Sequence, residues 1–369
     1  MKISMTNNLK KLAPADVQIG KFINVTDYEY YSEKQIEDSK ISIYDTLEKL
    51  GYDVDNKLKD IVKLDVYNFD NIDLKTSIGS YYDIAKDKYP LMPYNMKESI
   101  VKISDYNKIA KLFGLKEYTL NNDEYFIVAN YSEYVEFRNE GLKVDTILNI
   151  NEKELKPKYD SCVEGFIAMN STYSNMGVFV VPDNAVNDSM KKYEYLTANY
   201  NVTDINEKNL SEKELSEICK ENSNNTVIDF NSKMTIKEKS IGLGAMVTFI
   251  GLYLGIIFLI SCAAILALKE LSESSDNVEK FNMLRKIGVD EKMINKALFR
   301  QIGIFFMFPL LVAIIHSIFG IKFCNFLLSA FGAANLVSSI IGIAIFIVAI
   351  YGGYFLVTYI CSKNIIKEK

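Results

Sequence analysis

The sequence predicts an α+β domain over residues 1–240, followed by an all-α membrane domain of three transmembrane helices over residues 241–369. The first part holds 31 basic and 40 acidic residues, a net charge of −9, whereas the second part carries +4. Long uncharged apolar runs occur only in the second part, and runs of this length are typical of helices in a lipid bilayer. This uneven distribution excludes a uniform soluble fold, a disordered chain and a basic protein that binds nucleic acid.

Short apolar runs in residues 1–240 predict a mixed domain of strands and helices. The runs that predict strands are Val17–Val25, Ile61–Phe69, Tyr125–Asn130, Val163–Met169 and Gly177–Val181. Those that predict helices are Ser42–Leu50, Tyr106–Phe113 and Ser211–Lys220. After a loop at Glu221–Asn225, we expect Ile228–Lys239 to form a stalk that leads to the membrane.

Three membrane spans follow the stalk. The first, Ile241–Leu268, has 28 uncharged residues, more than a hydrocarbon core of about 30 Å requires. The second, Ile302–Gly320, is barely long enough to cross. The uncharged stretch after it is longer than one span needs, so we divide it into an interfacial or re-entrant helix at Cys324–Phe331 and a third span at Leu336–Ile360.

Lysine and arginine predict the orientation of these spans. They are concentrated in segment 269–301, between the first two spans, and in the C-terminal tail. The positive-inside rule places both in the cytoplasm, so residues 1–240 are expected to be extracellular. The first residues contain no apolar core of a signal peptide. Either the chain is the C-terminal part of a longer membrane protein, which we favour, or the first span carries the N-terminal domain outward.

Two features inside the spans bear on helix packing. Gly251 and Gly255 form a small-xxx-small pattern that permits close contact between helices, although glycine is also common in spanning helices for no such reason. Pro309 lacks an amide hydrogen and is expected to kink the second span.

Histidine and cysteine limit the chemistry that the chain can perform. His316 is the only histidine, which excludes a multi-histidine metal site and a histidine-based catalytic dyad. We expect it to be neutral and hydrogen-bonded to Tyr253 or Thr248, an ion relay being the alternative. Cys162 and Cys219 either remain free thiols, which we favour, or form a disulfide outside the cell.

The charged segment 269–301 carries the signals of a short helix. Asp276 is expected to cap its N-terminus, with Glu279 completing a capping box. Gly288 is placed to end it in the left-handed conformation, and Asp290 is expected to cap the helix that enters the second span.

The short helix is amphipathic. Phe281, Leu284 and Ile287 fall on one face at helical spacing, with Arg285 and Lys286 on the flank. Such a helix can rest on lipid headgroups or fit into a groove of a cytoplasmic partner. Periodicity alone leaves both open.

The segment LRKIGVDEKMI, with its glycine-ended helix and a second helix entering a span, resembles the cytoplasmic segment of FtsX-like permeases. Together with FPLLVAIIHS in the second span, it is similar to the C-terminal part of the bacitracin-export permease family, which confers resistance to antimicrobial peptides. The resemblance covers about Lys237–Lys369 and is weaker in the outer domain, at MGVFVVPDNAV. Permeases of this family have ten spans, so the resemblance implies that the chain holds the outer domain and the last three.

The resemblance also implies an ABC transporter whose ATPase is a separate chain. ATP would be bound by that subunit, in keeping with the absence of a P-loop motif from this sequence, so no cofactor is expected here. The helix around Asp276–Val289 would be the coupling element. Its expected contact residues are Phe281, Leu284, Arg285, Lys286, Ile287 and Gly288.

The acidic, tyrosine-rich outer domain suits a cationic peptide ligand, since 20 of the 24 tyrosines lie in it. A compositional bias toward tyrosine is the competing explanation. The leading function is thus export or detachment of antimicrobial peptides. The alternative is an FtsX-like lever or sensor that signals to an extracellular hydrolase or to a sensor histidine kinase. No enzymatic motif rises above chance, so an enzyme is not expected.

Overall fold

The computed structural model describes residues 11–144, 146–329 and 337–367. The chain separates into two compact units, with the boundary between Ile241 and Gly242. The first is an α/β unit and the second contains three long apolar helices. The predicted fold class, an α+β domain followed by an all-α membrane domain, is therefore confirmed.

The first unit is built on one mixed sheet with strand order β10-β1-β9-β2-β3-β8-β4-β6-β5, and β7 pairs with β4. The pairs β3–β8, β4–β6 and β4–β7 are parallel, and the others are antiparallel. The strands within the described residues are β1 Val17–Phe22, β2 Leu58–Tyr67, β3 Ser99–Lys102, β4 Glu124–Ala129, β5 Leu148–Ile150, β6 Lys153–Pro157, β7 Val163–Glu164, β8 Val178–Val181, β9 Lys191–Tyr200 and β10 Ile228–Ser232.

Hydrophobic clusters cover both faces of this sheet. Successive side chains of a strand point to opposite faces, so one strand contributes to both clusters. In β4, Phe126 and Val128 pack into one hydrophobic cluster, while Tyr125 and Ile127 pack into another. The helices that accompany the sheet are α1 Glu33–Asp38, α2 Ile43–Lys49, α3 Val54–Lys57, α4 Leu74–Ser77, α5 Tyr82–Lys88, α6 Ile103–Phe113, α7 Ser132–Leu142 and α8 Ile205–Glu221.

Most of the predicted elements of this unit are present with shifted ends, but one predicted strand is wrong over most of its length. Val163–Met169 is a strand only at Val163–Glu164. Beyond it the backbone bonds to a side chain instead of a neighbouring strand: the Gln18 amide nitrogen donates to the Ile167 carbonyl at 2.9 Å. The Met169 N–H donates to the Gln18 amide oxygen at 2.6 Å. The Gln18 side chain thus replaces a paired strand as the hydrogen-bond partner of this segment.

The segment predicted to be a stalk consists of two elements. Its first half, Ile228–Ser232, is strand β10, which pairs antiparallel with β1 at the edge of the sheet. Its second half begins helix α9, Lys233–Asp276. Ile236 in the first turn of α9 packs into the hydrophobic cluster of the first unit. Residues 228–239 are therefore part of the folded unit.

The second unit contains the rest of α9, the short helix α10 Val278–Lys286, α11 Glu291–Ser329 and α12 Val337–Lys367. Three segments are long and apolar enough to cross a membrane: Phe249–Asp276, Glu291–Lys322 and Ile340–Lys367. Most of their apolar side chains are exposed, which suits a lipid environment.

Two predicted boundaries in this unit are corrected. The separate helix expected at Cys324–Phe331 is wrong within the described residues, since α11 continues unbroken to Ser329, and a single lysine at 322 in an apolar run does not end a helix. Ala330, Phe331 and Leu336, where the third span was expected to begin, lie outside the described residues. Asp276 does not cap α10, because α9 extends through it and Asn277 occupies the N-cap without a side-chain bond.

Candidate functional site

Helix α10 is the short helix predicted between the first two spans, and its C-terminus has a defined geometry. Gly288 adopts φ +90°, the left-handed conformation expected of it. The Val289 N–H donates to the Leu284 carbonyl at 3.1 Å, and the Gly288 N–H donates to the Arg285 carbonyl at 3.0 Å. These two bonds are those of a Schellman motif. The chain thus leaves α10 in a fixed direction and enters α11, where the Asp290 carbonyl accepts from Met293 and Ile294.

Phe281 faces the interior of the second unit. Its side chain is buried in a cluster with residues of α11 and α12, namely Ile294, Leu298, Ile302, Phe306 and Ile366. Phe281 therefore anchors α10 to the two long helices. In this arrangement its ring is covered by the unit's own residues and is not presented at the surface.

Arg285 connects α10 to both neighbouring helices. Its Nε donates to Glu291 Oε1 at 2.5 Å, at the start of α11. Its Nη1 donates to Asn282 Oδ1 at 2.9 Å within α10 and to the Ile366 carbonyl at 3.0 Å near the end of α12. The guanidinium group carries five N–H donors in a rigid planar fork, so one side chain can bond to several partners at once. Arg285 is thus a positioning residue for α10.

Three apolar side chains near the C-terminal end of α10 are exposed. Met283 is 59% exposed, Leu284 37% and Ile287 77%, and Lys286 is exposed beside them. We call Met283, Leu284 and Ile287 the apolar face of α10. The structure therefore separates Phe281 from Leu284 and Ile287, with which it was grouped. Met283 is also exposed, although it was not among the predicted contact residues. The available signal was its position four residues before Ile287, which places both on one side of a helix.

The predicted residues inside the spans are not brought together with α10. A Cβ added to Gly251 or Gly255 would meet nothing within 4 Å, so close helix contact at these positions stays a prediction. Pro309 lies inside α11, and the kink expected there also stays a prediction. His316 is exposed on α11. No hydrogen bond joins it to Tyr253 among the described residues, and the Thr248 side chain lies outside them.

The first unit contains a cavity of about 250 Å³ lined in part by Glu98, Asn130 and Asn175. Glu98 accepts from Arg138 Nη1 and Nη2 at 3.0 and 2.8 Å, and Ser77 Oγ donates to it at 2.5 Å. The Asn130 side chain accepts from the Asn175 N–H. Glu98, Asn130 and Asn175 are therefore already paired with other groups of the protein.

Tyrosines of the first unit are divided between core and surface. Tyr52, Tyr67, Tyr106, Tyr125 and Tyr200 are fully buried, whereas Tyr28 and Tyr30 are 72% and 77% exposed. Most tyrosines named here therefore serve the core, and Tyr28 and Tyr30 are available to a ligand.

Cys162 and Cys219 are free thiols that belong to different hydrophobic clusters. Burial raises the pKa of the Cys162 thiol to about 11 and that of the Cys219 thiol to about 12. Cys219 is buried, whereas Cys162 is only half-buried.

Comparison with known proteins places relatives of this chain among ABC transporter permeases. No protein-family model matches it. Over 94 residues, 26% of this chain, it is 29% identical to the ABC transporter permease protein YxdM of Bacillus subtilis. It is also 28% identical over 124 residues to the ABC transporter permease YvcS and 28% identical over 137 residues to the bacitracin export permease protein BceB, both of the same organism. These alignments cover 34% and 37% of this chain.

The chain spans a small part of these curated relatives, 15%, 18% and 21% of their lengths respectively. The three apolar helices and the permease relatives together indicate a multi-pass membrane protein. The relatives are transport components, a class that works with an ATPase.

Proposed function

We propose that this chain is part of the permease subunit of an ABC transporter and acts on antimicrobial peptides that target the cell envelope. The observation that carries the proposal is α10, a short helix that joins two membrane-length helices and exposes an apolar face. An exposed apolar patch on a rigid helix end is typical of a docking surface. The permease relatives make a separate ABC ATPase the partner of choice, as in the FtsX-like arrangement.

The apolar face of α10 is the proposed ATPase contact, with Lys286 and Gly288 at its rim. Phe281 and Arg285 support this contact from behind, since they hold α10 to the long helices. Closure of the ATPase on ATP would then move α10 together with α11 and α12. A force applied at Ile287 reaches these helices through Phe281 packing and the bonds of Arg285.

The first unit is proposed to be extracellular and to meet the peptide. Its net charge of −9 attracts a cationic ligand over long range, and the exposed rings of Tyr28 and Tyr30 offer it aromatic contact. The bacitracin export permease among the relatives supports a peptide substrate. A sensor histidine kinase as a further partner also remains a proposal.

The ATPase contact is tested by co-purification of a candidate ABC ATPase subunit that is co-expressed with this chain. Ile287→Asp and Leu284→Asp each place a charge on the apolar face and are expected to reduce recovery of the ATPase at least tenfold. Ile84→Asp is the matched control, because Ile84 is 62% exposed in the first unit, and it is expected to leave recovery unchanged. Equal recovery by Ile287→Asp, Leu284→Asp and the wild type would contradict the proposal.

A further inference from the structure

The face of the sheet that carries Gln18 is partly open at one end of β1. Side chains of alternate residues in a strand point to the same face, so Gln18, Gly20 and Phe22 lie on this face. The loop at Ile167 covers Gln18, whose side chain donates to the Ile167 carbonyl at 2.9 Å. Phe22, at the end of β1, is 47% exposed. The loop thus covers the beginning of the strand and leaves its end accessible.

Three aromatic rings border this accessible part, and we call Phe22, Tyr193 and Tyr195 the aromatic patch. Across the β1–β9 pair, Tyr193 lies opposite Phe22, and Tyr195 lies opposite Gly20. The ring centroids of Phe22 and Tyr193 are 4.9 Å apart with an interplanar angle of 88°. Those of Tyr193 and Tyr195 are 4.9 Å apart with an angle of 60°. Rings inclined in this way turn several π faces toward one small group, and a π face attracts a cation.

Gly20 lies between the aromatic patch and a carboxylate. A Cβ atom at position 20 would overlap the Tyr193 hydroxyl, so the Tyr193 ring reaches from β9 over β1. Asp229 of β10 lies opposite Gly20 on its other side, and residues paired in this way share a face of the sheet. Asp229 is exposed and makes no salt bridge within residues 11–144, 146–329 and 337–367. Its negative charge is therefore available to a ligand.

The aromatic patch lines a cavity of about 260 Å³, together with Ile167, Lys192 and other residues. Pockets that enclose whole small molecules usually measure about 300–1,000 Å³, so this cavity suits a single side chain of a larger ligand. Burial and, to a smaller extent, the Asp229 carboxylate raise the pKa of the Tyr195 hydroxyl to about 12. The charged group that acts on this hydroxyl is therefore a carboxylate, although Lys192 lines the same cavity.

We propose that the aromatic patch and Asp229 bind one cationic side chain of a peptide, an ammonium group as in lysine or a guanidinium group as in arginine. The π faces attract the cation, and the carboxylate balances its charge. The inference rests on the proposed peptide-binding role of the first unit and deepens it, because it names the chemical group of the peptide that is recognised. An anionic ligand, for which Lys192 would supply the charge, is the outcome that the test must separate from it.

The test is the binding of a peptide of alternating glycine and lysine, labelled with an uncharged BODIPY dye, to the purified chain in a non-ionic detergent. Fluorescence anisotropy gives its Kd. Asp229→Asn is expected to raise Kd about twofold to fivefold, the range for an exposed ion pair. Phe22→Leu is expected to raise it by about the same factor, because a cation–π contact at an exposed site is similarly strong. Both positions are exposed, so these changes leave the core intact.

Glu154→Gln is the matched control. Glu154 is an exposed carboxylate on β6, near the opposite edge of the same sheet. Its replacement changes the net charge by the same amount as Asp229→Asn and is expected to leave Kd unchanged. Lys192→Ala removes a positive charge beside the cavity and is expected to leave Kd equal or lower. The same peptide with Nε-acetyllysine in place of lysine is expected not to bind.

Equal Kd values for the wild type, Asp229→Asn and Phe22→Leu would overturn the subsite while leaving a peptide-binding role of the first unit intact. A rise in Kd with Glu154→Gln as large as with Asp229→Asn would also overturn it, because long-range attraction alone would then explain binding. So would a rise in Kd with Lys192→Ala, which would indicate an anionic ligand. A wild-type chain that does not bind the lysine peptide would overturn both the subsite and the peptide-binding role.

Discussion

Nη1 of Arg285 donates a hydrogen bond of 3.0 Å to the backbone carbonyl of Ile366, a residue 81 positions later in the chain. The same side chain bonds to Glu291 at the start of α11. One side chain thereby joins the short helix α10 to both long helices that follow it. These bonds fix the position of α10 relative to α11 and α12. A docking helix needs such a fixed position if it is to transmit motion.

Arg285→Ala is expected to loosen α10 and to lower the free energy of unfolding by about 1–3 kcal/mol, because charged hydrogen bonds to three partners are lost. Lys286→Ala is the matched control: Lys286 is the next residue and exposed, and its loss is expected to cost within about 0.5 kcal/mol. Denaturant unfolding in detergent measures both. Equal free energies of unfolding for the two variants would show that the hydrogen bonds of Arg285 do not stabilise the fold.

Variants of Phe281 and Ile287 are expected to have different effects. One change lowers the stability of the chain and the other weakens binding of the ATPase. Phe281→Ala removes a ring from the cluster of α10, α11 and α12 and is expected to cost about 3–5 kcal/mol. Ile287→Ala removes an exposed side chain, so the free energy of unfolding is expected to change little, while recovery of the ATPase falls. Unfolding and co-purification, measured on both variants, check this. A destabilised Ile287→Ala variant would indicate that Ile287 packs within the chain.

Gly288→Ala is expected to destabilise the chain by about 1–2 kcal/mol, because φ +90° at this position is unfavourable for a residue with a Cβ atom. Gly251→Ala serves as the control. Gly251 lies in helix α9 with nothing within 4 Å of an added Cβ, and alanine is favoured over glycine there. Thermal unfolding of the two variants is compared; a Gly288→Ala variant as stable as the wild type contradicts the importance of the Schellman motif.

Glu212 of α8 is expected to make the first unit pH-dependent. Burial raises the pKa of its carboxyl above the ordinary value of 4.5, although Ser232 Oγ donates to it at 2.5 Å. Because the folded pKa is raised, the protonated carboxyl contributes stability that is complete below 4.5. That contribution is lost as the pH rises through the folded pKa.

Glu212→Gln keeps an acceptor for Ser232 but cannot ionise. The stability of this variant relative to the wild type is therefore expected to increase from pH 4.5 toward neutral pH. Urea unfolding across this range measures the difference, and Glu221→Gln, at an exposed position with no salt bridge among the described residues, is the control. A difference that does not vary with pH would contradict the raised pKa.

Strands with apolar periodicity could be predicted from the sequence, and β9 could not. In β4, apolar residues lie on both faces, and this apolar run predicts the strand. Strand β9, KKYEYLTANY, contains many polar residues, and one of them, Glu194, is fully buried. Its carboxylate accepts a hydrogen bond of 2.9 Å from the Ile43 N–H. That bond joins residues 151 positions apart, which no local pattern reveals.

In the candidate site, too, features set by neighbouring residues could be predicted and features set by distant residues could not. The left-handed Gly288 and the short amphipathic helix followed from local spacing, since a Schellman motif involves only neighbouring residues. The side of α10 that packs inward depends on Ile294, Phe306 and Ile366, which are distant in sequence. For that reason Phe281 was assigned to the partner surface, although it is buried in the chain's own cluster.

The topology tests the account most directly, because α10 must be cytoplasmic to meet an ATPase and the first unit must be outside to meet a peptide. Tyr30→Cys and Met283→Cys, at positions 77% and 59% exposed, are introduced singly into a chain whose five native cysteines are replaced. Intact cells are treated with a membrane-impermeant maleimide. We expect labelling of Tyr30→Cys in intact cells and of Met283→Cys only after permeabilisation. Labelling of Met283→Cys in intact cells would contradict it.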